Sequence, residues 1–481
     1  MEFSGLAVVK FKNVRKIVMK KICIVLPDGV GIKNYIYSSF FQKLKKKEYH
    51  IILIHSISKN AIKEIIKLEG NSIKFEKIPE YKETVKQKFL RELVCLLRLK
   101  NNIKLTKNDS LNENWKPNKK GKNYFFYKLI EFISLTFNFN YKKILFLEKI
   151  YDNEISKSTD KITLLLKRIN PDIIFNTHQR SLIAVPIVAA AKKLGIKNVG
   201  AIYSWDNIPK ARLSVRTNEY VVWSKHMKNE MKIFYPEIKQ DNIIITGTPQ
   251  FEFYSDKELL ISKELFFKKI GLDMNRKVVC FSGDDTRTSP FDPEYLEDLA
   301  NSLMLFTENT RPQILLRRCP VDVSERFQKI IKKHSTIIKE AAPIWNFDKE
   351  GDNWQLIYPN YKDIALLVNT VYHSDVVINV GSTMAHDFAI FNKPAIYLNY
   401  NPVKSNKWNI ETIYKFQHFR SMKNLNPVFW LNEKKDIIEV IKKALNSDLS
   451  SDEIKDAQRW LNIISEYREI ASQNIVNYLN I

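Results

Sequence analysis

Cysteine is scarce in this chain: Cys23, Cys95, Cys280 and Cys319 are the four among 481 residues. They are too few and too scattered for a disulfide framework or a zinc centre. Cys23 and Cys280 sit inside apolar runs, where a thiol is ordinarily a small buried hydrophobe. A reducing, cytoplasmic setting is the expectation. Glycine is sparse as well, at 12, which together with 27% charged residues excludes low-complexity and fibrous classes. No apolar run approaches the roughly 20 residues of a membrane span; the run 181–191 is far shorter. The first 20 residues interleave Lys10, Lys12, Arg15, Lys16 and Lys20 with short apolar pieces, so no secretory leader is expected. Acidic residues are in deficit, 53 against 77 Lys and Arg, leaving a net charge of +24. Such an excess favours anionic partners: phosphorylated substrates, an anionic membrane surface or nucleic acid. No helix-turn-helix, zinc or RNA-recognition pattern accompanies it, so no nucleic-acid partner is expected.

What is present is alternation. Apolar runs at 21–27, 49–56, 173–177, 199–203 and 242–246 are separated by helical patterns such as 181–194 and 225–234. The series restarts at 277–281 and continues through 313–316, 375–379 and 395–398. Runs apolar on both faces, alternating with helices, predict parallel sheets covered on both sides. The fold class is therefore α/β, with two facing doubly wound, Rossmann-like domains. The expected boundaries are 1–258 for the first domain, 259–451 for the second and 452–481 for helices packing back across the cleft. Residues 83–151 break the alternation: a lysine-rich part leads into Tyr124-Phe125-Phe126-Tyr127 and on through Phe137, Phe139, Tyr141 and Phe146. Aromatic stripes at helical spacing ordinarily pack as core, and packing over the first domain is the expectation. Aromatics flanked by lysines also suit the interface of an anionic bilayer.

The most informative stretch is Gly381-Ser382-Thr383, after an apolar run and before a helix carrying Asp387. Backbone N–H groups and hydroxyls at a helix start can hold a diphosphate, and a carboxylate one turn on can accept from ribose hydroxyls; the same residues also serve as a plain helix cap. Gly283, after the run 277–281, permits close approach to a phosphate. Arg287 and Arg317 are placed to compensate phosphate charge. Pro359, in Ile357-Tyr358-Pro359-Asn360, offers backbone contacts to a base. The loop 27–34, with Gly29 and Gly31, is either an acceptor seat or a tight turn. On the first domain, Asp206 and, as second choice, His178 follow strand-like runs and are the candidate proton acceptors. Asp206 has an alternative role as a loop-holding hydrogen-bond acceptor. Asp284-Asp285 lacks a matching carboxylate elsewhere, so no metal is expected.

These pieces, in this order, resemble the GT-B superfamily of nucleotide-sugar glycosyltransferases. Within it, the segments 171–210, Trp223-Ser224 with Gly247-Thr248-Pro249-Gln250-Phe251, and Gly381-Ser382-Thr383…Asp387…Lys393-Pro394 are similar to the bacterial CDP-glycerol glycerophosphotransferase-like group of surface-polysaccharide enzymes. The UDP-N-acetylglucosamine 2-epimerases are a more distant likeness. Asp206 stands where that group has an acceptor-activating His, and Cys319-Pro320 where it has His-Pro. Both departures speak against a glycerophosphate donor. The resemblance implies a metal-independent glycosyltransferase with no cofactor beyond its nucleoside-diphosphate sugar co-substrate. The acceptor implied is a hydroxyl of a cell-surface glycan or lipid-linked saccharide, such as O-antigen or capsule, reached in the cytoplasm or peripherally on the inner membrane face. The alternatives are transfer of glycerol or polyol phosphate from a CDP-linked donor, and sugar-nucleotide epimerisation.

Overall fold

The computed structural model describes residues 19–47, 49–70, 73–121, 123–136, 140–347 and 357–480. Lys10, Lys12, Arg15, Lys16, Phe137 and Phe139 lie outside the described residues. The first sheet comprises β1 (Lys21–Leu26), β2 (His50–His55), β3 (Lys74–Lys77), β4 (Ile173–Asn176), β5 (Lys197–Ala201), β6 (Glu219–Val222) and β7 (Ile243–Ile245). All seven are parallel, in the order β3-β2-β1-β4-β5-β6-β7. The second sheet comprises β8 (Val278–Ser282), β9 (Gln313–Arg317), β10 (Ile338–Glu340), β13 (Val376–Asn379), β14 (Ala395–Leu398) and β15 (Phe429–Leu431). Its order, β10-β9-β8-β13-β14-β15, repeats the same winding. Between β10 and β13 stands an antiparallel ribbon of β11 (Trp345–Phe347) and β12 (Ile357–Pro359).

Central strands such as β1, β8 and β13 are buried on both faces, as their unbroken apolar sequences dictate. Several strands have no long apolar run to announce them, the short β10 and β11 among them. The edge strand β3 is Lys-Phe-Glu-Lys, and β6 has four residues directly after a polar loop.

The first domain's helices are α1 (Ser39–Lys46), α2 (Lys59–Glu69), an inserted group of α3 (Val85–Thr106), α4 (Asn123–Thr136) and α5 (Tyr141–Ser156), then α6 (Asp160–Ile169), α7 (Val185–Lys193) and α8 (Lys225–Phe234). The second domain adds α9 (Lys263–Ile270), α10 (Asp292–Leu303), α11 (Gln328–Lys333), α12 (Tyr361–His373), α13 (Met384–Ile390), α14 (Ile410–Tyr414) and α15 (Ile437–Leu445). Many start on a hydroxyl or amide cap; Thr84 and Gln87 form a reciprocal capping box at α3. The C-terminal helices α16 (Asp452–Ile464) and α17 (Ala471–Leu479) tie the halves together: α16 touches both α13 and α8, and α17 packs on α1. A contiguous apolar core runs from β1 through these helices to β8 and β13.

Candidate functional site

Both sheets reverse their winding beside the first strand, between β1 and β4 and between β8 and β13. Crevices for ligands open at such switch points, outside the strands' carboxyl ends. The two switch points face one another across a cleft of about 1210 Å³. Asp206, Gly283, Arg287, Arg317, Gly381, Ser382, Thr383 and Asp387 all line it. His178 and Pro359 are not among its lining residues. His178 Nδ1 lies 2.6 Å from Asp28 Oδ2, and its ring packs edge-on to Tyr203 behind the cleft. Pro359 accepts a 3.1 Å hydrogen bond from Tyr37 Oη at its carbonyl, a contact between domains.

The turn at Gly381 is a left-handed one, φ 65°, and a Cβ there would stand 2.7 Å from Phe419 Cζ. Glycine is therefore required by both backbone and space. Asn379 Oδ1 accepts the Ser382 N–H at 2.8 Å, and Ser382 Oγ accepts the Met384 N–H at 3.4 Å. The donors left for an anion are thus fewer than the sequence suggests: the Thr383 N–H and the two hydroxyls. Thr383 makes no side-chain cap bond to α13, which leaves its hydroxyl available. Asp387, partly buried on α13, hydrogen-bonds Tyr254 and faces Lys33 of the first domain. Burial pushes the Asp387 carboxyl up to about 6, against the pull of Lys33 and Tyr254. Burial lowers the Lys33 ammonium, while Asp387 and Asp363 pull it back up and Arg317 lowers it further.

Arg317 carries a different role from the one its position suggests. Its Nη2 donates to both oxygens of Asp363 at 2.8 Å and its Nη1 to the Ala341 carbonyl. Asp363 also accepts the Ile344 N–H and the Trp345 indole N–H. This closed network fixes α12 to β9 and leaves Arg317 little to offer a phosphate. Arg318 is likewise held, by Glu340 at 2.7 Å. Arg287 is the opposite case: exposed, with its guanidinium unengaged among the described residues. Lys393 donates to the Val371 and Ser374 carbonyls at the end of α12, a capping role.

Across the cleft, two carboxyls are driven apart. Burial would raise Asp206, but the Lys210 ammonium, His418 and hydrogen bonds from Lys210 and Ser204 together hold it well below the usual carboxylate range. Burial pushes the Asp284 carboxyl up to about 7, reinforced by Asp285 and by Asp206 itself and opposed by the Asp285 N–H and Arg326. Asp285 is spent on its own turn, accepting from the Arg287 and Thr288 N–H groups and the Thr288 hydroxyl. Among the described residues no group of three His, Cys, Asp or Glu side chains is arranged to hold a metal.

Sequence reasoning passed over His418. It sits in a short 3₁₀ turn (Gln417–Met422), with no strand-end motif to mark it. Its ring lies beside Trp205, and burial lowers its imidazole to about 4, with Asp206 pulling upward and Lys210 downward. The insertion also reaches the cleft: Leu111, Glu113, Asn114 and Lys116 form part of its wall. Asn108 Nδ2 clasps Gln417 Oε1 and the Lys415 carbonyl at 3.0 Å each, and Arg420 Nη1 reaches the Thr106 carbonyl at 2.6 Å.

No protein-family model matches the chain. No curated protein matches it either. Solved structures do. The UDP-GlcNAc 2-epimerase from Methanocaldococcus jannaschii is 13% identical with a TM-score of 0.53, over 96% of this chain and 99% of that one. The S. aureus MnaA–UDP complex is 12% identical with a TM-score of 0.50, over 96% and 97%. A further UDP-N-acetylglucosamine 2-epimerase is 12% identical with a TM-score of 0.52, over 96% and 95%. The likeness spans both domains from end to end and is one of fold. The narrower resemblance to the CDP-glycerol group finds no counterpart in these matches. With two parallel sheets of seven and six strands facing across a cleft, the chain has the GT-B-type fold.

Proposed function

We propose that the protein is an enzyme acting on a nucleoside-diphosphate sugar bound in the interdomain cleft. The observation that carries this reading is the convergence of the Gly381–Thr383 turn, Asp387 and Lys33 at the paired switch points. In this arrangement Asp387 accepts from the ribose hydroxyls. Ser382, Thr383, Arg287 and Lys33 hold the diphosphate, and the sugar extends between Asp206 and Asp284.

The chemistry at the sugar that is best supported is epimerisation. Inverting a C–H centre needs a proton taken from one face and returned to the other. Carboxyls titrating far apart, one from each domain, suit that division of labour. Two of the structures of like fold named above are also UDP-GlcNAc 2-epimerases by name. Asp284, near 7, is the group suited to take the C2 proton while the C1–diphosphate bond breaks and the C–H electron pair forms a C1=C2 double bond. Re-addition of the diphosphate at C1, with a proton returned to the opposite face of C2, completes the inversion. Ionised Asp206 stabilises the positive charge that develops at C1 as the diphosphate leaves. Glycosyl transfer is the second reading, favoured by the size of the cleft, whose 1210 Å³ exceeds the roughly 300–1,000 Å³ of an ordinary small-molecule site. Its outer wall at Glu113, Asn114 and Lys116 leaves room for an acceptor saccharide. Polyol-phosphate transfer from a CDP-linked donor rests only on the sequence motifs.

A thermal-shift panel of UDP, GDP and CDP tests the site: one nucleotide should stabilise the chain in proportion to its affinity. No stabilisation by any of them would overturn the reading. UDP-N-acetylglucosamine in D₂O without acceptor then separates the chemistries. Epimerisation yields the 2-epimer carrying deuterium at C2, whereas transfer requires added saccharide.

A further inference from the structure

Helix α4 has two apolar faces, and only one of them has a partner. Tyr127 and Ile130 are buried in a small core with Leu93, Leu97 and Ile144, and Ser134 is buried where its hydroxyl accepts from Lys100 of α3. On the opposite side Phe125, Leu129, Phe132 and Leu135 are 77%, 51%, 61% and 76% exposed. Their spacing of four, three and three residues makes a continuous stripe along the helix. Scattered exposed apolar residues need no explanation, but a stripe of large ones does.

The charge around the stripe points to its occupant. Residues 100–150 contain 11 lysines and four acidic residues, Asp109, Glu113, Glu131 and Glu148. Three of the four acids are already neutralised: Glu113 by Lys116, Glu131 by Lys119 and Glu148 by Arg98, at 2.5–2.6 Å. Lys128 and Lys142 remain exposed on α4 and at the start of α5. A second copy of this chain would bring the same positive field against itself. A surface that is apolar below and anionic above matches both features, as an in-plane amphipathic helix meets an acidic bilayer. Among the described residues no helix is long and apolar enough to cross a membrane.

We propose that α4 docks the protein in the plane of an anionic lipid bilayer, with Phe125, Leu129, Phe132 and Leu135 entering the headgroup–acyl boundary. The cleft wall at Glu113, Asn114 and Lys116 belongs to the same insertion, so docking would set the cleft mouth beside the membrane. This proposal stands whether or not the cleft binds a sugar nucleotide.

The test is flotation of the full chain with vesicles of phosphatidylcholine alone and with added phosphatidylglycerol. Binding to the anionic vesicles is expected, with little to the neutral ones and release by high salt. The F125S/F132S double variant, at side chains that are 77% and 61% exposed, should keep the wild-type melting temperature and lose roughly tenfold in vesicle affinity. Absence of binding to anionic vesicles, or equal binding by wild type and variant, would overturn it. So would a wild-type dimer in light scattering that the double variant converts to a monomer, since the stripe would then belong to a second copy.

Discussion

The Trp205 ring of the first domain lies edge to face on His418 of the second, 4.6 Å between centroids. His386, Phe419 and Trp460 complete the ring of neighbours, at 5.1, 6.2 and 5.8 Å. Trp205 is almost fully buried there, although it stands on a loop beside Asp206. One aromatic plug thus joins the two halves next to the groups proposed for chemistry. Burial holds both imidazoles around it neutral: His386 is pushed down to about 3 and His418 to about 4.

Removing that plug should cost stability and closure together. Trp205→Ala is expected to destabilise the chain by about 3–5 kcal/mol, the usual range for a buried aromatic truncated to alanine. Calorimetry should show one transition in wild type and a split or broadened one in the variant, since the domains lose a shared contact. A single, unshifted transition would show that closure does not depend on Trp205.

Arg317 and Arg287 should separate cleanly. Arg317→Ala leaves the buried Asp363 carboxylate without its cation and should lower stability by about 3–5 kcal/mol. Arg287→Ala, at an exposed and unengaged side chain, should change stability by less than about 0.5 kcal/mol. Nucleotide affinity, measured by calorimetric titration, should fall for Arg287→Ala. If it falls only for the arginine at 317, the assignment of phosphate contact is reversed.

This pair also shows where sequence stops being informative. Strand ends are legible because apolar runs on both faces declare a parallel sheet, and the residues after them must face the cleft. Gly381, Asp387, Asp206 and Arg287 follow such strands, and all four line the cleft. What a strand-end residue bonds to is set by non-local neighbours. Asp363 lies 46 residues beyond Arg317, on α12, and no local pattern announces that it will absorb the guanidinium. His418 was invisible for the same reason, and His178 turned inward to Asp28, 150 residues away. Gly29 reads locally as a turn, yet a Cβ there would stand 1.9 Å from the Ile357 carbonyl of the other domain.

Asp284 sets the expected pH profile of turnover. With burial raising its carboxyl to about 7, kcat/KM should change around neutral pH in the free enzyme. Asp284→Asn should lower kcat by roughly 10²-fold and remove that titration. An unchanged profile in the variant would assign the proton transfer elsewhere.

Asp387 should couple nucleotide binding to pH. Its carboxyl is raised from the ordinary 3.8 to about 6, with burial the main cause. In the free protein such a group favours the folded state most at low pH; that contribution is full below about 4 and is lost as pH rises through 6. A ribose diol binds the ionised form, so nucleotide works in the opposite direction and should release a proton on binding below pH 6. Affinity for the stabilising nucleotide should therefore rise about tenfold between pH 5 and pH 7 and level off above. Asp387→Asn should bind weakly at both pH values, while its own melting temperature loses the decline across this window. Titration calorimetry in buffers of different ionisation enthalpy reads the proton release directly. Equal affinity at pH 5 and pH 7 in wild type would remove Asp387 from the ribose site.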